Sequence, residues 1–463
     1  MMREAFLVDS PQYRALRALN YAPAVEALRH SRSSLRSISI GSAVSELGKG
    51  YATVFARIDA QPEYGVELLS QSDMFAAEPA GRWIRRDSMS RPDRHLVRRW
   101  QILVAGAGTL GENELYGRPV IADARLAGKY VGQDTLAIAF DPPGSDLNLY
   151  TYAFLASPSG LRALRSTSYG TKILRIRKDI LAELPIPLPD DAIIAQVAEL
   201  IRQTVVQRER FAASLTAARG VIEKLPEVQE AQLMCGERRA RCTIWKNDLP
   251  TMSAWTYAST GSALQMLLGH WKTRVRDVVP SVGMFNGPRF ARIPVAHGHG
   301  IEFMNQRDAF LMKPVPRQIA HPGFDDLKLF VPRGSILIGG HGTLGEGEIF
   351  GRTVYVTDRL SRSAFTQDLL RVQPVQGAAA LVFAFFSTDV GLRLLRSCAV
   401  GTKILSLRLD LLEALPIPDV SETELRHIEA SVEDACHAFD RADQLEYEAT
   451  RIIEREVLPR WLA

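Results

Sequence analysis

Between Arg82 and Arg99 the chain carries seven arginines against two aspartates, with Trp83 and His95 among them. A guanidinium is a permanent cation whose planar fork matches a phosphate and the O6/N7 edge of guanine, so this density points to a nucleic-acid contact surface. Arg82, Arg85, Arg86, Arg91, Arg94 and Arg99 are the candidates there. A second basic stretch, spelled differently, holds Arg289, Arg292, Arg307, Lys313, Arg317, His321, Lys328 and Arg333. The net charge is only +4, so binding to a polyanion requires charge gathered locally, as it is in these two stretches. The competing reading is that they are ordinary solvated loop charges.

Other residues suggest chemistry less well. Gly106, Gly108 and Gly111 spell GxGxxG after an apolar run, and Gly340, Gly342 and Gly345 spell it again. A dinucleotide site needs a helix directly after the glycines. Here Gly117 and Pro119 interrupt one copy and strand formers fill the other, so the preferred reading is a tight turn in a hairpin, with glycine supplying positive backbone angles. Asp141, Pro142 and Pro143 resemble the loop with which amino-methyltransferases hold a target amine, but Gly144 replaces its aromatic residue, and a proline turn is preferred. Lys172 and Lys403, each in a GTKIL segment, fit either a phosphate contact or a brace at the foot of a helix, the brace being favoured. No Walker lysine, HExxH or nuclease carboxylate set is found, so no catalytic residue is assigned. The four cysteines have no CxxC spacing, which argues against a zinc site and a disulfide framework and suits a cytoplasmic setting. The longest apolar run, Gly377 to Phe386, is far short of the ~20 residues that span a bilayer.

The elements that must position the arginines are short. Apolar runs broken by Gly and Pro (Ile38 to Ile40, Thr53 to Ile58, Val66 to Leu69) read as strands. Leu149 to Ser166 reads as an apolar helix, and a PIP exit then leads into a long helical pattern from Asp190 to Leu225. Its seam, Ile194, Val197, Ile201, Thr204, Phe211, Leu215, Ala218, Ile222 and Leu225, alternates by three and four, with Arg208 out of character. The register returns 231 positions later in Leu425, Ile428, Val432, Ala435, Phe439, Ala442, Ala449 and Ile453, where Phe439 stands for Arg208 and Glu446 for Leu215. The whole order is duplicated. GTKILRIRKDILAELPIP matches GTKILSLRLDLLEALPIP at twelve of eighteen positions, and GTLGENELYGRPV matches GTLGEGEIFGRTV at nine of thirteen. Gln71, Asp73 and Phe75 return as Gln306, Asp308 and Phe310.

Two basic, divergent domains, each followed by a PIP exit and a long helix, resemble the specificity (S) subunit of type I restriction-modification systems, or the equivalent subunit of a related methylation-based defence system. The matching residues are ILVAGAGTLGE and SILIGGHGTLGE, GTKIL with its following PIP, and the helix after each, covering roughly Leu35 to Leu462. The acidic-Gln start of the spacer helix is reduced to Gln196 in the first copy and missing in the second.

The resemblance implies an α/β (α+β) fold: an arm (1–33), two target-recognition domains (34–189 and 272–419), a connector (227–271) and two long helices (190–226 and 420–463). The helices pack antiparallel as a coiled coil in a pseudo-twofold repeat. It implies no enzyme activity and no cofactor in this chain. The partners implied are double-stranded DNA with a bipartite asymmetric target, two N6-adenine methyltransferase subunits that bind S-adenosylmethionine, and, in type I assemblies, an ATP-dependent motor-nuclease; no membrane is involved. The rival readings are a nicotinamide-dependent enzyme with duplicated glycine turns and a protein-binding adaptor.

Overall fold

The chain divides into two units, Met1–Glu209 with Arg441–Ala463, and Arg210–Asp440, so each long helix contributes one part to each unit. The computed structural model describes residues 18–31, 33–111, 114–235, 259–296, 298–345 and 347–463. Most of the expected arm and the middle of the expected connector, with Cys242, lie outside the described residues.

In the first unit the central sheet has four strands in the spatial order Glu46–Leu47, Thr135–Ala139, Ile102–Ala105, Pro119–Ile121, all antiparallel. Ile102 to Ala105 is buried at every position, as expected of an apolar run covered on both faces. A second sheet orders Arg82–Arg85, Gly65–Leu69 and Tyr130–Val131, the last pair parallel. A third orders Ser168–Tyr169, Leu174–Ile176 and Ala107–Gly108.

The second unit repeats all three orders. Its four strands run Met284–Asn286, Leu369–Val372, Ile336–Gly339, Thr353–Tyr355. Its second sheet runs Arg317–Ile319, Ile301–Met304, Ala364–Phe365, again with a parallel last pair. Its third runs Ala399–Val400, Leu405–Leu407, His341–Gly342. The residues repeated in sequence are those that join these sheets. The Gln71 amide donates to Ala107 O at 2.8 Å and accepts from Ala107 N at 3.1 Å, and Gln306 donates to His341 O at 2.9 Å. Asp73 caps Ser70 N at 2.7 Å and Asp308 caps Asn305 N at 3.0 Å.

Gly106 and Gly340 sit where the chain leaves the four-stranded sheet for the three-stranded one, their N–H groups donating to Asp134 O and Asp368 O. A Cβ on Gly106 would stand 2.5 Å from the Tyr51 ring, so glycine is needed there for close approach. Within the triplets Gly108 (φ 157°) and Gly342 (φ 159°) have positive φ, and Gly117 (φ 77°) and Gly351 (φ 80°) make the left-handed turn that sends the chain back. No helix occurs between Gly111 and the strand Pro119–Ile121 among the described residues, so the helix N-terminus that a pyrophosphate site requires is not there.

The first long helix spans Asp191–Glu223 and the second Glu422–Ile452. In the first unit Arg460 lies 3.3 Å from Asp190, and Arg208 pairs with Glu446. In the second unit Phe211 and Phe439 have ring centroids 5.6 Å apart, and the Ser214 hydroxyl donates to Asp434 at 2.6 Å. Rising numbers on one helix meet falling numbers on the other, so the helices run antiparallel within each unit. The core of the first unit joins Val197, Ile201 and Val205 to Ala449 and Ile453, to the sheet residues Ile102, Val104 and Ile138, and to the helix Asp146–Ala156. Beyond Ile452 the chain makes a π-helical turn and ends in Leu458–Leu462, where the Trp461 indole donates to Leu28 O at 2.9 Å.

Candidate nucleic-acid interface

The strand Arg82–Arg85 lies at the edge of its sheet, with Ile84 fully buried against Leu68, Met89 and Tyr130 while Arg82, Trp83 and Arg85 are exposed. Its register places Arg82 opposite Leu68. In the second unit Arg317 stands opposite Phe303 in the corresponding strand pair. The two basic stretches, unlike in spelling, therefore coincide at this edge position. Arg317 is exposed and has no ionic partner among the described residues.

Carboxylates hold several of the first unit's arginines. Arg82 pairs with Asp59, Arg85 is bidentate to Asp87, and Arg86 lies 3.9 Å from Asp93. The hydrogen bond from Arg85 holds the Asp87 carboxyl below its usual range, and the bonds from Asp59 and Asp87 raise the guanidiniums. Such exposed pairs are weak, so a phosphate can displace the carboxylate. Asp59, Gln61, Tyr64, Arg85, Arg86 and Asp87 line an open depression of about 490 Å³. Arg91 is exposed and Arg94 half-buried, neither with an ionic partner among the described residues. His95 belongs to the core: its ring nitrogens lie 3.1 Å from Val131 O and 3.1 Å from Thr53 Oγ1, and burial lowers its pKa.

In the second unit Arg289, Arg307 and Lys328 are exposed and likewise without an ionic partner among the described residues. Lys313 is half-buried. Arg292 reaches Asn305 at 3.3 Å, Thr366 at 3.0 Å and Gln367 at 3.3 Å, with its guanidinium 4.9 Å from the Phe303 ring centre. His321 pairs with Asp326 at 3.0 Å.

Arg99 and Arg333 reach carboxylates of the long helices. Arg99 meets Glu209 of the first long helix at 2.8 Å and lies over Trp100 at 4.7 Å. Arg333 meets Glu433 of the second long helix at 2.5 Å. Each ties the central sheet of its unit to a helix.

Lys172 and Lys403 are placed otherwise than favoured. Both are exposed at the tips of GTKIL hairpins and have no side-chain partner among the described residues. The bracing comes from arginines that sequence reasoning passed over. Arg165 donates from Nε to Tyr116 O and from Nη2 to Glu114 O, both at 2.9 Å. Arg396 donates to Phe350 O at 3.0 Å, Gly345 O at 2.9 Å and Glu348 O at 3.1 Å. The repeated LRALRS and LRLLRS segments were the available signal.

Among the described residues no group of three His, Cys, Asp or Glu side chains could hold a metal ion, and no helix is long and apolar enough to cross a membrane. Asp141, Pro142 and Pro143 form a turn leading into the helix that Ser145 caps.

No family model and no curated protein matches the chain. Solved structures do. The S subunit of a type I restriction-modification system from M. genitalium is 16% identical, with 93% of this chain and 97% of that one covered and a TM-score of 0.30. The HsdS subunit from Thermoanaerobacter tengcongensis is 15% identical, covering 95% and 99%, with a TM-score of 0.27. A chain from a structure describing complex assembly and conformational transition of the type I R-M system is 14% identical, covering 94% and 97%, with a TM-score of 0.25. At these TM-scores the likenesses carry no functional argument.

Proposed function

We propose that the chain is a non-catalytic specificity subunit that reads a bipartite, asymmetric duplex DNA target, one half-site per unit, and directs partner N6-adenine methyltransferases to it. One observation carries the reading: the two units share the strand order of their four-stranded sheet and of both three-stranded sheets, while their exposed cations are placed differently. A common scaffold with unlike cationic edges suits two readers of unlike sequences. Phosphate contacts would fix register and base-edge contacts would specify. Arg82, Arg85, Arg86, Arg91 and Arg94 serve one half-site in this proposal, and Arg289, Arg292, Arg307, Lys313, Arg317 and Lys328 the other. Lys172 and Lys403, identical in both copies, suit sequence-independent phosphate contacts.

The two long helices, paired as a coiled coil, would set the gap between half-sites. The first has 33 residues. At 1.5 Å per residue it is ~50 Å long, about one and a half turns of B-DNA. Two methyltransferase subunits would each flip an adenine and carry their own S-adenosylmethionine, and a type I assembly would add an ATP-dependent motor-nuclease in the cytoplasm.

The test is to co-express the chain with a candidate N6-adenine methyltransferase subunit from the same genome and map methylated adenines across the host genome by single-molecule sequencing. The expected result is a two-part motif with a fixed gap. Association without any motif would replace this reading with a protein-binding adaptor.

A further inference from the structure

In the first unit the seam between the long helices contains a buried ion pair. Arg208 and Glu446 bond through Nη2 and Oε2, with side chains 3% and 1% exposed. Tyr152, on the apolar helix Asp146–Ala156, donates its hydroxyl to the other Glu446 oxygen at 2.6 Å. Two further donors of Arg208, Nε and Nη1, are buried without a hydrogen bond. Burial acts to depress the Arg208 pKa, but Glu446 and then Tyr152 outweigh it and leave it raised, so the cation persists. A cation this deep is tolerated only against its carboxylate.

The repeat puts apolar residues at all three equivalent positions of the second unit. With the offset of 231 between the GTKIL segments, Tyr152 corresponds to Phe383, Arg208 to Phe439, and Glu446 to Leu215. All three are buried. Arg208 and Leu215 lie on the first long helix, and Phe439 and Glu446 on the second.

The consequence appears when the seam is closed by the wrong partner. If the first long helix paired in this geometry with the same helix of another molecule, Arg208 would face Leu215, twice, with no carboxylate. If the second paired with its own copy, Glu446 would face Phe439, twice, with no cation. Each self-pairing therefore buries two unmatched charges, whereas pairing of unlike helices buries none. We propose that Tyr152, Arg208 and Glu446 make the seam accept only the other long helix and reject a second copy of the same one. The chain then keeps one of each unit, in fixed order, although its halves are similar enough to exchange. This inference is independent of whether the units read DNA.

The test uses full-length chains carrying different tags. Arg208→Glu puts two carboxylates in the seam of its own first unit, and Glu446→Arg puts two guanidiniums there. Expressed singly, each variant should lose soluble monomer by ~10-fold or more, the effect of an unmatched buried charge. Expressed together, they can exchange helices so that each Glu meets an Arg, and a 1:1 complex should be recovered through both tags, with its mass confirmed by light scattering. Wild-type chains with the same two tags give the background level, because a swap between them pairs unlike helices and keeps the Arg208–Glu446 match. A second variant guards against simple misfolding: Tyr152→Phe with Arg208→Phe and Glu446→Leu installs the second unit's apolar set, should remain folded, and should co-purify with its differently tagged copy. The proposal is overturned if either single variant is as soluble as wild type, if the co-expressed pair yields no mixed complex, or if the apolar variant stays monomeric.

Discussion

At the scale of single residues, a basic stretch separates into cations with different employment once partners are known. Arg91 and Arg289 are exposed without ionic partners among the described residues, while Arg99 and Arg333 are tied to Glu209 and Glu433 of the long helices. Arg91→Ala and Arg289→Ala should therefore weaken DNA binding. A residue on a phosphate would lower the salt slope by ~0.9 for all sequences, and one on a base edge would cost ~1–3 kcal/mol at one position. Arg99→Ala and Arg333→Ala should leave that slope unchanged and lower the unfolding midpoint slightly, as loss of an exposed pair costs ~1 kcal/mol or less. Salt-titrated binding and urea unfolding of the four variants separate the two classes. The sequence could show the density of arginine but not this division, because the deciding carboxylates are distant in the chain. Glu209 is 110 residues from Arg99, and Glu433 is 100 from Arg333.

At the scale of elements, what the sequence repeats is what joins one sheet to another. The strands Ile102 to Ala105 and Ile336 to Gly339 were legible as apolar runs because they are buried at every position, whereas the run Thr53 to Ile58 forms no strand. The long helices were legible through the three-four alternation, since Val197, Ile201, Ile428 and Val432 are all buried. The roles of Arg165 and Arg396 were not legible, because their acceptors are backbone carbonyls, which leave no mark in composition. The hairpin at the glycine triplets was legible, but the close approach there was not: Gly106 answers to Tyr51, a residue from another strand-turn segment. Arg165→Ala and Arg396→Ala should each cost ~1–2 kcal/mol, because loop carbonyls lose charged donors but regain water. Protease cleavage within 109–116 or 343–350 should rise in the matching variant alone. Equal cleavage of both loops in either variant would refute the brace.

At the scale of the whole molecule, the two units are alike in sheet order but unlike in continuity along the chain. The second is one uninterrupted segment, Arg210–Asp440, whereas the first needs both Met1–Glu209 and Arg441–Ala463. Ala449, Ile453, Leu458 and Trp461 belong to the same core as Ile102 and Ile138, so that core is unfinished until the last residues are present. Domains are usually completed from the N-terminus during synthesis. Here the ribosome makes the first unit's strands early and its remaining core residues only after the whole second unit. Nascent chains stalled after residue 440 and released from the exit tunnel should hold a protease-resistant 210–440 segment beside a susceptible N-terminal one, and resistance of the N-terminal segment should arrive only with the final 23 residues. Termination before residue 441 would thus damage the unit that is encoded first.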